Sequence, residues 1–298
     1  MSTLSVADER ILRGAPASIT CQFLDQDGDP ADPGTVTIGI SKADGTVVVA
    51  SGTATTGTTT APRAYSLASV STLEMLTATW TSSTHGVQTT HVEVVERYYF
   101  SVAAARAWKT GGMNDATTYT DAQIKAGRAE VEQEFERFCW AFVPRFARHE
   151  IMATGRSSAL VVPDQKLRTL RSVKEIATDG STSYAWTAAD ITATSVATSG
   201  ILTRLDGAVW PEGKLVVEYE YGFDSPPPDV LDAAIARLRY RINAQRSAVP
   251  DRASSFTSGD GGTYSLLVPG RGSSLTAQPE VDVVLNDPRY RRVSPLVA

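Results

Sequence analysis

The chain has 298 residues, 42% apolar and 20% charged, with a formal net charge of −5, which excludes a disordered polypeptide and allows two domains with cores of their own. No apolar run reaches the ~20 residues that span a bilayer, and the opening MSTLSVADERILRG puts acidic residues where a secretion signal has its apolar stretch, so synthesis in the cytoplasm and no membrane partner are expected. Residues 1–97 hold five Lys plus Arg and ten Asp plus Glu, leaving 28 − 5 = 23 basic and 33 − 10 = 23 acidic groups in the remainder; the first third carries the whole net charge, and no overall basic surface marks nucleic acid as the main ligand.

Residues 1–97 are rich in Thr, Ser, Val and Gly, with short β-prone runs separated by turn residues. In Thr35-Val36-Thr37-Ile38-Gly39-Ile40 the even positions are apolar, and Asp44-Gly45 marks a hairpin leading into Val47–Ala50. Further strands are predicted at Ala64–Leu67, Leu76–Ser82 around Trp80, and Thr89–Val95. Strands at this spacing predict an Ig-like sandwich over 1–97, similar to bacterial and phage Ig-like modules, since the Cys-Trp-Cys pattern of antibody domains is missing. Cys21 falls in this domain and Cys139 in the next, so both are expected to be reduced, buried thiols.

The pattern changes after Val95. Ser101 is placed to cap a short helix over Val102–Trp108, and Thr120-Asp121-Ala122-Gln123 has the form of a capping box that opens a longer one. Ile124, Val131, Phe135, Phe138 and Phe142 then draw one apolar stripe at helical spacing, with Lys125, Arg128, Glu130, Glu132, Glu134, Glu136 and Arg137 on the polar face. Pro144 ends this helix. The runs HEIMA, SALVVP, LRSVKEIA, YAWTAADI, GILTRL and KLVVEYEYG predict strands, the last placing Leu215, Val217, Tyr219 and Tyr221 on one face. Ser225-Pro226-Pro227-Pro228-Asp229 opens a second long helix with an apolar stripe at Leu231, Ile235, Leu238 and Ile242, and with Arg237, Arg239, Arg241 and Arg246 around it. Residues 250–280 are dominated by Gly, Ser, Thr and Pro and are expected to form a loop or extended arm. The end, VDVVLNDPRYRRVSPLVA, has too little apolar surface to hold itself in place, so it is expected to be disordered or docked on a neighbour.

No reacting cluster is legible. His85, His91 and His149 lack the spacing of a zinc site. Asp25, Asp27 and Asp29 resemble the start of a calcium loop, but Pro30 stands where that loop needs Gly and Val36 where it needs Glu. No phosphate-binding or nucleophile-elbow motif is present. No enzyme activity, catalytic residue, metal or cofactor is therefore expected.

The segments TDAQIKAGRAEVEQEFERFCWAFVPRFARHEI, LVVPDQKLRTLRSVKEI, GAVWPEGKLVVEYEYGFDSPPPDV, AVPDRASSFTSGDGGTYSL and PEVDVVLND, over roughly residues 100–290, resemble in combination the head-to-tail adaptor (head completion or neck) proteins of long-tailed bacteriophages. The resemblance implies an α+β chain: the Ig-like sandwich (1–97), an α-helical bundle adaptor domain with an inserted β-region (98–249), and an extended C-terminal arm (250–298). It implies a structural virion protein at the head–tail junction, in a ring of roughly twelve copies between the portal protein and a stopper or other tail-side neck protein, with DNA passing through the lumen. The arm would dock on the portal through Val281, Asp282, Val283, Val284, Leu285, Tyr290, Arg291 and Arg292, the apolar run adding a strand to a partner sheet. Glu130, Glu134, Arg137, Arg237 and Arg241 are candidate ring contacts, although pairing within one chain fits them equally. A capsid- or tail-associated module, using the Ig-like domain to recognise a surface or carbohydrate, is the second reading.

Overall fold

The computed structural model describes residues 9–109, 112–244 and 275–292, together with the backbone of 255–257 and 263–265. The chain opens with β1 (Glu9–Leu12), β2 (Ala17–Cys21), β3 (Val36–Lys42), β4 (Val47–Ala54), β5 (Arg63–Leu67), β6 (Glu74–Ser82) and β7 (Gly86–Val95), followed by α1 (Val102–Ala107) and α2 (Asp121–Phe138). It continues through β8 (Arg145–Ala153), β9 (Ala159–Val161), β10 (Leu167–Ile176), β11 (Thr182–Ala185), α3 (Ala188–Thr192), β12 (Thr194–Ala197), β13 (Ile201–Arg204) and β14 (Gly213–Tyr221). It closes with α4 (Pro228–Ala244), β15 (Ser255–Thr257), β16 (Thr263–Ser265) and α5 (Pro279–Leu285). These elements form two compact units, Met1–Arg97 with Val143–Phe223, and Tyr98–Phe142 with Asp224–Ala298.

In the first unit, β1–β7 form a five-stranded sheet of order β1-β7-β6-β3-β4 and a two-stranded sheet β2-β5. Their inner faces share one core. Val36, Ile38 and Ile40 of β3, Leu76, Ala78 and Trp80 of β6, and Val92 and Val94 of β7 meet Ile19, Cys21 and Leu67 of the smaller sheet. Strict alternation does this, because a strand turns every second side chain to the same face. Trp80 satisfies its buried N–H by donating to Thr90 Oγ1 at 2.7 Å. Asp44-Gly45 makes the β3–β4 turn, with Gly45 at φ 87° and Lys42 N–H donating to Thr46 O at 2.9 Å.

The rest of this unit is an antiparallel sheet of order β11-β10-β14-β8 and a three-stranded sheet β12-β13-β9. The central strand, β14, buries Leu215, Val217 and Tyr219 against Leu170, Val173, Leu202 and Trp210. Buried charge ties this region to the sandwich. Glu93, on β7 and 1% exposed, accepts from Arg10 Nε at 3.0 Å and from Arg145 Nη2 at 2.6 Å, and its second oxygen accepts from Arg145 Nε. Arg171 on β10 donates to Leu73 O at 2.6 Å.

In the second unit, Thr120 Oγ1 accepts from Gln123 N–H at 3.2 Å and Gln123 Oε1 accepts from Thr120 N–H at 3.2 Å, so the capping box starts α2 as its sequence predicts. Ser101 caps α1 with a single bond, its Oγ accepting from Ala104 N–H at 3.0 Å. Ile124, Val131 and Phe135 of α2 are fully buried, and α2 lies close to α4: a β-carbon at Gly127 would sit 2.5 Å from Leu238 Cδ1. Gly127→Val is expected to overpack this contact and cost about 1–3 kcal/mol, seen as a lower urea midpoint.

The architecture corrects the expected fold class. Strands hold 38% of the described residues and five helices hold 21%, so the fold is mostly β and contains no α-helical bundle domain. Only α2 and α4 are long. The β-region between them belongs with the sandwich, and α3 occupies residues read as the end of a YAWTAADI strand, where Thr187 and Asp190 form a second capping box. The expected extended arm is also corrected: Val281–Leu285 lie in α5, a helix. Arg246, the glycines at 259, 261, 262, 270 and 272, and most of the expected 250–280 loop lie outside the described residues.

Candidate functional site

The residues singled out for assembly all lie in the second unit. On α2, Glu130 and Glu134 stand one turn apart; on α4, Arg237 and Arg241 do the same, and the rows meet because the helices run in opposite directions. Arg237 forms a two-pronged pair with Glu134, with Nε and Nη2 each 2.8 Å from a carboxylate oxygen, the geometry that a planar guanidinium favours. Arg241 pairs with Glu130 at 2.6 Å and with Glu134 at 3.2 Å. Four of the five expected ring contacts are thus engaged within one chain. Arg137, in the last turn of α2, is exposed.

Burial raises the Glu134 pKa, but hydrogen bonds and charge from Arg237 and then Arg241 outweigh it and hold the carboxyl below its ordinary value. A carboxyl depressed on folding stabilises above its unfolded pKa and loses that contribution as pH falls through the folded value. The second unit is therefore expected to weaken as pH falls through and below the ordinary carboxyl range. Glu134→Gln is expected to flatten that slope in a stability titration across the acid range.

Arg237 also fixes the C-terminal segment, donating through Nη1 to Thr276 O at 3.1 Å and to Gln278 Oε1 at 3.3 Å. Thr276 in turn donates its N–H and Oγ1–H to Asp282 Oδ1, both at 2.8 Å. Asp282 is 8% exposed, so this carboxylate is placed by α5 as an internal acceptor. Val281, Val284 and Leu285 are buried, whereas Val283 on the opposite face is 72% exposed. Beyond α5 the chain bonds to the end of α2: Trp140 N–H donates to Tyr290 O at 2.9 Å and Arg292 N–H to Phe138 O at 2.8 Å. Tyr290 packs edge-on against Phe142 and donates its hydroxyl to Asp229 at 3.1 Å. Burial, then the Asp229 carboxylate, raise its phenol above the ordinary value.

Of the eight residues expected to dock on the portal, Val281, Asp282, Val284, Leu285 and Tyr290 are thus buried in their own unit. Val283, Arg291 and Arg292 face outward. Sequence reasoning passed over Thr276, Asp229 and Trp140, which hold this segment. Only the acidic Asp229 at the start of α4 carried a signal.

The chemistry of the remaining candidates is internal. His149 Nε2 and the Tyr219 hydroxyl both bond Asp164 Oδ2, at 3.0 and 2.7 Å, and burial with the Asp164 charge drives the Tyr219 phenol far up. Burial pushes the Cys21 thiol to about 11 and the Cys139 thiol to about 12, away from the thiolate that nucleophilic chemistry requires. Asp25 Oδ1 accepts from the N–H groups of Asp27 and Asp29, both at 2.9 Å, closing its own turn. Among the described residues no group of three or more His, Cys, Asp or Glu is arranged to hold a metal ion, and no helix is long and apolar enough to cross a membrane.

No protein-family model matches the chain, and no curated protein matches it significantly. Among solved structures it is similar to a chain of the neck of an empty gene transfer agent (GTA) particle determined with C6 symmetry, at 17% identity and TM-score 0.36, covering 52% of this chain and 82% of that one. It is similar also to a chain of the neck of the native GTA particle determined with C12 symmetry, at 15% identity and TM-score 0.34, covering 53% and 86%. A third likeness, to a chain of the native GTA virion, has 17% identity and TM-score 0.36, covering 52% and 84%.

Proposed function

We propose that this chain is a non-enzymatic structural subunit of a tailed-phage-like particle, built into the neck as a ring of copies between the portal and a tail-side protein, with DNA passing through the lumen. The observation that carries this reading is that segments resembling neck adaptors fold into α2, α4 and α5 and lock together through Arg237, Glu134 and Asp282. The seven-stranded sandwich is read as the Ig-like module in front of the adaptor. Docking on the portal is assigned to the outward residues Val283, Arg291 and Arg292, and ring contacts to Arg137 and the outer side of Glu130. The buried members of both sets position them.

Electron microscopy of purified particles with antibody against this chain tests the class. Label at the head–tail junction is expected, and label on the capsid faces or the tail tip would overturn it. Val283→Glu combined with Arg291→Glu is expected to abolish portal attachment while leaving the melting curve unchanged; Arg292 is kept because its guanidinium lies over the Trp140 ring. Normal attachment by that variant would refute the docking assignment.

A further inference from the structure

The β4 edge of the sandwich carries neither charge nor proline, and its remaining protection is an irregular register with β3 at Ile38/Ile40 and Ile40/Ser41. β4 ends the five-stranded sheet, is eight residues long, and pairs on one side with β3. An open edge is a row of unpaired N–H and C=O groups, and folded proteins blunt it with charge, proline or cover because it otherwise recruits other strands. At the opposite edge of this sheet, β1 carries Glu9 and Arg10; the edge strand β8 carries Arg145, Arg148 and Glu150. β4 reads Val-Val-Val-Ala-Ser-Gly-Thr-Ala, and from Gly45 to Pro62 no charged residue occurs. Val47, at its start, is 66% exposed. This is the composition of a strand that pairs.

The same chain carries a hairpin short of a strand. β15 and β16 pair through Ser255–Ser265, Phe256–Tyr264 and Thr257–Thr263, and among the described residues form a two-stranded sheet. Such a hairpin is marginal in water, and a third strand is the usual remedy. Its strands too are uncharged. It is joined to α4 by residues 245–254 and to the Thr276 anchor by 266–274, lengths of chain that can reach at most about 35 Å each.

We propose that the β4 edge accepts the β15–β16 hairpin of a second copy, main chain to main chain. This rests on the reading that copies of the chain associate, and it names the contact. A donor and an acceptor at different places on one chain make a heterologous interface, which closes into a ring when the rotation between copies allows it.

The test uses the full chain. Val47→Cys is labelled with a maleimide photocrosslinker, which the buried Cys21 and Cys139 leave selective, and isotopically light and heavy protein are mixed before illumination. Peptides joining position 47 to the segment 253–271 in light–heavy pairs are the expected result. Joining only within one chain, or between chains at other segments, overturns the proposal. Val47→Lys with Ala50→Lys, both at exposed positions, is expected to weaken self-association at least about tenfold in sedimentation with the fold intact. Undiminished association by this variant overturns strand addition while leaving the ring reading standing. A parent chain that stays monomeric, both alone and in its particles, ends both.

Discussion

Glu93→Ala is expected to destabilise the first unit by about 3–5 kcal/mol, because it removes the buried carboxylate that the Arg10 and Arg145 guanidinium groups share. Glu93 is 2% exposed at its side chain, Arg10 5% and Arg145 15%, so water screens none of the three well. The loss measures the cost of breaking a largely buried charged cluster, and not a gain from the ion pairs: an apolar trio of the same shape is expected to be nearly neutral. For a body of this size the melting temperature should fall by roughly 6–20 °C, since each kcal/mol shifts it by ~2–4 °C. Glu150→Ala is the matched control. Its pair with Lys214 at 2.7 Å is 48% and 42% exposed, and such pairs contribute ~0–1 kcal/mol. Equal effects of the two substitutions in calorimetry would sink the account of Glu93.

Ending the chain after residue 278 is expected to unfold the second unit. The cut removes Val281, Val284, Leu285 and Tyr290, all buried. At about 1.5–3 kcal/mol for each buried apolar side chain, roughly 6–12 kcal/mol of gross burial is lost, comparable with the 5–15 kcal/mol that holds a whole domain. It also frees Cys139 and Trp140 from the backbone pairing that closes α2. Loss of near-ultraviolet circular dichroism and rapid proteolysis of α2 are the expected readouts. A truncated chain that melts like the parent would contradict the packing of α5. Val283→Glu, on the exposed face of the same helix, should stay within ~0.5 kcal/mol of the parent. Function and folding in this segment are therefore separable by point substitution and not by deletion.

Local chemistry made much of the fold readable. Thr120 and Gln123 announce α2, the prolines before Asp229 announce α4, and the alternation at Val36, Ile38 and Ile40 announces a half-buried strand, because each signal depends only on near neighbours. Signals that depend on distant partners were misread. Val281-Asp282-Val283-Val284-Leu285 is rich in β-branched residues and reads as a strand by propensity, yet burial of 281, 284 and 285 against the rest of the unit selects the helix; Pro279 and Glu280 at its start were the overlooked cue. The fold class failed for a related reason, since two strong amphipathic helices dominate the pattern while many short strands hold more residues. At the candidate site, the opposed charges of α2 and α4 were visible, but whether they meet within or between chains depends on tertiary approach. Glu93 was invisible, because its two arginines come from 83 residues before it and 52 after it.

The second unit is assembled from stretches on either side of a long intervening segment, and that order has a consequence during synthesis. When Phe138 leaves the ribosome, α2 already bears its apolar stripe, but Leu238 and Ile242 follow only some hundred residues later. At ~5–20 residues per second, the nascent helix waits on the order of ten seconds before its partner is translated. During that interval Ile124, Val131 and Phe135 have no native cover from α4. A chaperone that shields exposed apolar surface would have its target there, and slower elongation across codons 143–223 should raise the misfolded fraction.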